Sequence, residues 1–160
     1  MKKLKISDDY KRHLIKFFLF FFVCPFLLVS VICAVRGIYR VPTVSMQPTF
    51  RKGSFISVMN KNVMRGDIVV FKSKELKKTL VKRVLGIPGD TLQIRAGHVI
   101  RNGKEISEKY VKYWGGKSGS FKVPKDHYFL LGDNRSDSLD SRYWKNPYVL
   151  KSAVIGVVRK

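Results

Sequence analysis

Three stretches of the chain hold side chains that can do chemistry together. The first is VPTVSMQPTF, residues 41–50, where Ser45 lies between Pro42 and Pro48. Proline fixes its own φ and restricts the residue before it, so this backbone is stiff. A serine held in that way can serve as a nucleophile, although most serines near prolines are ordinary loop residues. The second is LVKRVLGIPGD, residues 80–90, where Lys82 and Arg83 interrupt an apolar run. Residues two apart share a face of a strand, so Lys82 sides with Leu80 and Val84, and Arg83 with Val81 and Leu85. Burial disfavours the charged form of an amine and lowers its pKa, which is what a lysine needs to act as a base near neutrality. Arginine stays protonated. If either residue is a base it is therefore Lys82, and Arg83 needs an anion. The bland alternative is an edge strand with both heads snorkelling to water. The third stretch is GDNRSDSLDSR, residues 132–142, a polar turn rich in hydroxyls and carboxylates. It offers groups to orient a buried lysine or to pair with Arg83, or it is a solvated loop.

The elements that must carry these residues read as strands. SFISVMN (54–60), DIVVF (67–71), TLVKRVLGI (79–87), DTLQI (90–94), HYFLL (127–131) and AVIGVV (153–158) alternate or run apolar in short segments. HVIRNGKEI (98–106) reads as a hairpin centred on Asn102-Gly103, a strong two-residue turn signal. Pro88-Gly89 and Gly132-Asp133 punctuate the set. The stretch from Gly115 to Lys122 reads as a Lys/Gly-rich loop. No segment beyond residue 36 keeps a helical period, so the expected fold is mainly β with one core.

Taken together and in this order, the blocks resemble those of bacterial type I signal peptidases. The matching blocks are an apolar N-terminal span, VPTVSMQPTF, RGDIVVF (65–71), VKRVLGIPGD (81–90) and GDNRSDSLDSRYW (132–144). The resemblance implies a single signal-peptidase-like β-domain and a serine endopeptidase that removes N-terminal signal peptides from translocated pre-proteins. By position, Ser45 matches the nucleophile and Lys82 the general base. Thr43, where serine is more familiar, matches the hydroxyl that helps the Ser45 N–H hold the oxyanion. Ser138 matches a serine that bonds the lysine. Asp140 and Arg142 match a bracing charged pair, with Asp140 expected to answer Arg83. The pocket for small apolar side chains falls on Tyr39, Val41, Met46, Phe50, Leu80 and Val81. Neutral Lys82 would take the Ser45 proton, the lysinium would protonate the leaving amine, and water would free the acyl group. These steps need neither metal nor cofactor. The large extra β-domain of some family members is expected to be absent, and the chain carries Lys145 where glycine is frequent.

Residues Phe17–Val35 form 19 consecutive uncharged positions, close to the roughly 20 needed to span a bilayer as a helix. Six basic residues precede them against Asp8 and Asp9, which puts residues 1–16 in the cytoplasm by the positive-inside rule. The expected organisation is thus a basic tail (1–16), one transmembrane helix (17–35) and an extracytoplasmic catalytic domain (36–160) on the cytoplasmic membrane. Ser45 lies ten residues past Val35, a reach of at most about 36 Å. The two cysteines, Cys24 and Cys33, both fall in the span; nine residues of helix turn through about 900°, so they face opposite ways. From Arg36 onward there is no cysteine, which excludes a disulfide framework and a cysteine zinc site there.

Charge is the remaining strong signal. The 160 residues hold 32 basic and 11 acidic side chains, a net of +21, with 45% apolar residues to build a core. Such a balance suits an anionic lipid surface, acidic partners or nucleic acid. The basic residues lack interleaved aromatics on one face, so nucleic acid is not expected. The partners expected are signal-peptide-bearing pre-proteins and the lipid bilayer, with a pilin or secretion-system component as a specialised substrate. Two rivals remain. One is a Ser–His–Asp hydrolase, which would have to use His98 or His127. The other is a non-enzymatic anchored scaffold of a secretion or conjugation complex, which would keep its function after Ser45→Ala.

Overall fold

The structure is a computed structural model that describes residues 8–23, 25 and 37–159. The chain divides into two compact units, Met1–Ile38 and Tyr39–Lys160. In the first, helix α1 (Asp8–Phe18) passes into a single π-helical turn, Leu19–Val23. Phenylalanines four apart meet on its surface, with ring centroids 4.5 Å apart for Phe17 and Phe21 and 5.2 Å for Phe18 and Phe22. Among the described residues, no helix is long and apolar enough to cross a membrane. Most of the expected span, residues 24 and 26–35, lies outside the described residues, together with both cysteines.

The second unit is mainly β, as expected. Its strands are β1 (Ile38–Arg40), β2 (Phe55–Met59), β3 (Ile68–Ser73), β4 (Lys78–Gly86), β5 (Thr91–Arg95), β6 (His98–Arg101), β7 (Lys104–Glu105), β8 (Gly119–Lys122), β9 (His127–Leu131), β10 (Tyr148–Leu150) and β11 (Val154–Val158). Seven form one sheet in the order β1-β2-β11-β3-β4-β9-β10, and four form a second in the order β7-β6-β5-β8. The β6–β7 hairpin turns at Asn102 and Gly103, both with positive φ (53° and 78°), the conformation that the Asn-Gly pair was expected to supply. Asp90 ties this hairpin to the turn after β4. It accepts from the Ile87 N–H (3.0 Å), the Asn102 amide (2.8 Å) and both arms of Arg65 (2.7 and 2.9 Å). Burial alone would raise its pKa; the Arg65 guanidinium and the two amide donors override burial and hold it at about 2.

Two expectations need correction. The loop expected over Gly115 to Lys122 contains β8, which pairs Gly119 to Lys122 against Ile94 to Thr91 of β5. Its sole large apolar residue, Phe121, packs toward β5 and β9, so the strand forms by pairing rather than by its own pattern. The single core expected is three buried clusters. Val69, Phe71, Val84, Tyr128, Leu130 and Trp144 build one. Val41, Met46, Ile56, Val70, Val81 and Val158 build the second. Leu85, Leu92, Ile94, Val99, Phe129 and Leu131 form the third, where the small sheet meets the large one. Strand β4 feeds all three: alternation separates Val84, which joins the first cluster, from Val81 and Leu85, which lie four residues apart and join the second and the third.

Candidate active site

The segment bearing Ser45 is fixed from below by its apolar neighbours. Val41 is 1% exposed and Met46 fully buried in the second cluster. Backbone bonds from Val41 to Ser54 (2.8 Å) and from Gly53 to Val41 (2.7 Å) pin its start, and Phe50 N–H to the Met46 carbonyl (2.9 Å) closes the turn. The Gln47–Pro48 peptide within it is cis. From the other side, Asn134 donates its N–H to the Ser45 carbonyl (3.1 Å) and its amide to the Val44 carbonyl (3.4 Å). Gly132 sits against the same carbonyl: a Cβ there would lie 2.5 Å from the Ser45 oxygen and 2.2 Å from Ser138 Oγ, so no side chain fits.

Lys82 reaches Ser45 from β4. It is 3% exposed, and its Nζ lies 2.6 Å from Ser45 Oγ, to which it donates in the ammonium form. Thr43 Oγ1 is 3.1 Å from the same oxygen. Burial lowers the Lys82 pKa from 10.5 to about 8, against the pull of the Asp140 and Asp133 carboxylates and with a smaller push from Arg142. Roughly one molecule in ten then carries a neutral lysine at pH 7. A neutral amine accepts a proton from the hydroxyl it already touches. The Ser45 N–H donates to no other group among the described residues, which leaves it open to an incoming oxygen.

The charged residues around this pair depart from expectation in one respect. Arg83 answers Asp133, not Asp140: its Nε and Nη2 grip the two carboxylate oxygens at 2.8 and 2.6 Å, and Nη1 donates to the Gly66 carbonyl at 2.8 Å. Asp140 is already engaged by Arg142 through two bonds of 2.8 and 2.9 Å and accepts the Gly132 N–H at 3.0 Å. Two residues apart on a tight turn, Asp140 and Arg142 satisfy each other first. Asp133 also takes the Thr49 hydroxyl. Ser138 Oγ is buried beside Gly132 and has no hydrogen-bond partner among the described residues, so it makes no bond to Lys82 here.

Of the expected pocket residues, Val41, Met46, Leu80 and Val81 line a narrow cleft beside Ser45, together with Pro42, Thr43, Thr79 and Lys82. Tyr39 and Phe50 do not line it; they pack against the second cluster. His98 stacks on Trp114 (centroids 4.0 Å apart), and His127 Nδ1 meets the Lys125 carbonyl; neither bonds to Ser45. Among the described residues, no group of three His, Cys, Asp or Glu side chains could hold a metal ion.

Sequence reasoning missed several supporting residues. Asp133 was within reach, since Arg83 demanded an anion and the 132–142 turn offered three. Thr49 and Asn134 gave no signal beyond lying in the right blocks. Nothing in the sequence pointed to Glu108 or Tyr110. Yet Glu108 is 5% exposed, paired with the fully buried Arg135 (3.0 Å), and accepts the Tyr110 hydroxyl (2.6 Å). The Tyr110 ring lies 3.8 Å from the Arg83 guanidinium carbon. Burial, then Glu108, push the Tyr110 pKa up, so its hydroxyl remains a donor.

A serine hydroxyl facing a buried amine on a β scaffold is the equipment of a serine peptidase, and comparison with known proteins narrows the class. The family model described as signal peptidase, peptidase S26, matches residues 12–160. Signal peptidase I P of Bacillus subtilis subsp. natto is 38% identical over 152 residues, covering 88% of this chain and 80% of that protein. Signal peptidase I V of Bacillus subtilis (strain 168) is 36% identical, covering 82% and 89%. The crystal structure of a signal peptidase I from Enterococcus faecalis V583 superposes with a TM-score of 0.53 at 31% identity, covering 62% of this chain and 98% of that one. The chain therefore belongs to the signal peptidase I family, peptidase S26. It is a serine endopeptidase whose activity is the removal of signal peptides.

Proposed function

We propose that Ser45 is the nucleophile and Lys82 its general base, in an enzyme held at the outer face of the cytoplasmic membrane by residues 17–35. The observation that carries this reading is the 2.6 Å approach of Lys82 Nζ to Ser45 Oγ in a site where the lysine is 3% exposed. Neutral Lys82 removes the hydroxyl proton as Oγ attacks the scissile carbonyl. The resulting oxyanion is met by the Ser45 N–H and the Thr43 hydroxyl. The lysinium gives its proton to the leaving amine, and water, activated by the same amine, releases the acyl group. Arg83 and Asp133 support the site by neutralising each other, and Asp140 with Arg142 fixes the 132–142 turn that holds the Ser45 carbonyl. Ser138, packed under Gly132, is proposed to steady that turn.

The pre-protein enters as an extended segment along β4. Among the described residues, the N-terminal half of β4 pairs only with β3, because pairing with β9 starts at Arg83. Its free edge borders the cleft through Thr79, Leu80 and Val81 and suits an added strand. The narrow apolar cleft suits small side chains. Support for the anchor comes from the uncharged run 17–35 and the basic residues before it. The net charge of +21 supports a dedicated substrate, such as a pilin or secretion-system component, over a broad one.

The test uses the full chain in detergent with a pre-protein carrying a small-x-small cleavage site, followed by sequencing of the new N-terminus. Ser45→Ala and Lys82→Ala should each abolish the product, while His98→Ala and His127→Ala should retain it. Near-normal turnover by Lys82→Ala would end the serine–lysine reading.

A further inference from the structure

Beyond the cleft, the free edge of β4 continues into a cluster of positive charge. Residues Lys78 to Lys82 pair on one side with Ser73 to Val69 of β3. On their other side no strand or loop takes the backbone among the described residues. The strand begins at the β3–β4 turn, whose side chains include Lys72, Lys74, Lys77 and Lys78 against a single carboxylate, Glu75. All four lysines are exposed, and none of them has a carboxylate partner within ion-pair distance among the described residues. Glu75 is turned away from them and accepts the backbone N–H groups of Lys145 (3.2 Å) and Asn146 (3.5 Å).

Distance along the edge decides what this cluster meets. A strand rises about 3.3 Å per residue, so Lys78 lies roughly 13 Å from Lys82 along β4. A peptide laid on that edge with its scissile bond at Ser45 brings the residues four to six positions from the bond beside Lys78 and Lys77. Lys72, near the end of β3, and Lys74, in the turn, add positive charge at that end of the edge. We infer that the β3–β4 turn is a subsite for acidic side chains, which selects pre-proteins carrying Asp or Glu four to six residues from the cleavage point. The inference rests on β4 being the substrate edge. An acidic peptide fits better than an anionic lipid surface because Lys78 lies on the same strand edge that walls the cleft and Lys77 stands in the turn directly before it.

The experiment measures kcat/KM of the full chain in neutral detergent for three versions of one pre-protein. Two adjacent positions, four and five residues from the scissile bond, carry Glu, Gln or Lys; one set places them before the bond and another after it. Exposed ion pairs are individually weak, so Glu should exceed Gln by about three- to tenfold at low salt, on one side of the bond only. The difference should collapse near 0.5 M salt, where screening is short-ranged. In the double variant Lys77→Glu/Lys78→Glu the order should reverse in favour of Lys, and Lys77→Gln/Lys78→Gln should abolish the difference between the Glu and Gln versions. Equal rates for Glu and Gln on both sides would overturn the subsite, as would a Glu preference that survives both variants. A dependence on Lys77 and Lys78 that appears only with anionic vesicles, and equally for all three pre-proteins, would assign the cluster to lipid instead. Failure to cut the Gln version at all would defeat the underlying substrate reading rather than the charge preference alone.

Discussion

Replacing Lys82 with Met should leave the protein inactive but more stable at neutral pH. Methionine keeps the apolar stem and removes the ammonium that burial opposes. The lowering of the Lys82 pKa from 10.5 to about 8 corresponds to roughly 3 kcal/mol of unfavourable free energy when the group is charged in the fold. The sign follows from proton counting. Between pH 8 and 10.5 the unfolded chain binds the proton that the folded chain has lost, so stability of the parent rises with pH through that window. Below pH 8 both states hold the proton, and the deficit relative to Lys82→Met is constant. Above 10.5 neither does, and the deficit is gone. For a chain of this size roughly 3 kcal/mol is a shift of about 6–12 °C in melting temperature. Thermal unfolding of both full chains in detergent, followed by tryptophan fluorescence from pH 7 to pH 10.5, reads this directly. Every other group titrates equally in the two proteins, so the difference isolates Lys82. Two melting curves that stay parallel across the range would refute the burial argument and with it the physical basis for a lysine base.

Further outcomes follow from the same geometry. The kcat/KM of the parent should rise with pH to a plateau with an apparent pKa near 8, as Lys82 loses its proton in the free enzyme; a profile flat from pH 6 to 9 would contradict it. Gly132→Ala should lower kcat by about a hundredfold, because the added Cβ must displace the Ser45 carbonyl or Ser138 Oγ; single-turnover assays would show it. Thr43→Val should reduce kcat by about 10²-fold with KM little changed, as removal of one oxyanion donor does, whereas Thr43→Ser should retain activity. Protease added to intact spheroplasts should digest the catalytic domain, and protection there with digestion in inverted vesicles would reverse the proposed topology.

The β strands legible in the sequence were those with apolar alternation long enough to register. β1 and β10 have three residues each, too few for a period, and β8 carries one large apolar side chain, so pairing partners rather than pattern create them. At the site, Ser45 and Lys82 stood out because proline and an apolar strand mark a stiff backbone and a dry amine. The partner of Arg83 did not, because three carboxylates in one turn are equivalent until the turn is folded. Then Arg142, two residues from Asp140, removes it from competition, Asp137 stays exposed, and Asp133 is left for the buried Arg83. Glu108 and Tyr110 were illegible for a different reason. They lie in a stretch between β7 and β8 with neither period nor block, and only tertiary contact with Arg135 and Arg83 gives them a place.

The contacts that assemble the site join segments far apart in the chain. Ser45 and Lys82 are separated by 37 positions, Arg83 and Asp133 by 50, Thr49 and Asp133 by 84. Contacts of such range form late, after the loops between them have closed. A chain made from its N-terminus exposes Ser45 early, yet the turn that holds the Ser45 carbonyl arrives only with residues 132–142. Until then the hydroxyl has no fixed orientation, and the lysine, still in water, keeps its proton. Under the proposed Ser45–Lys82 chemistry, hydrolytic power switches on only when that turn has folded.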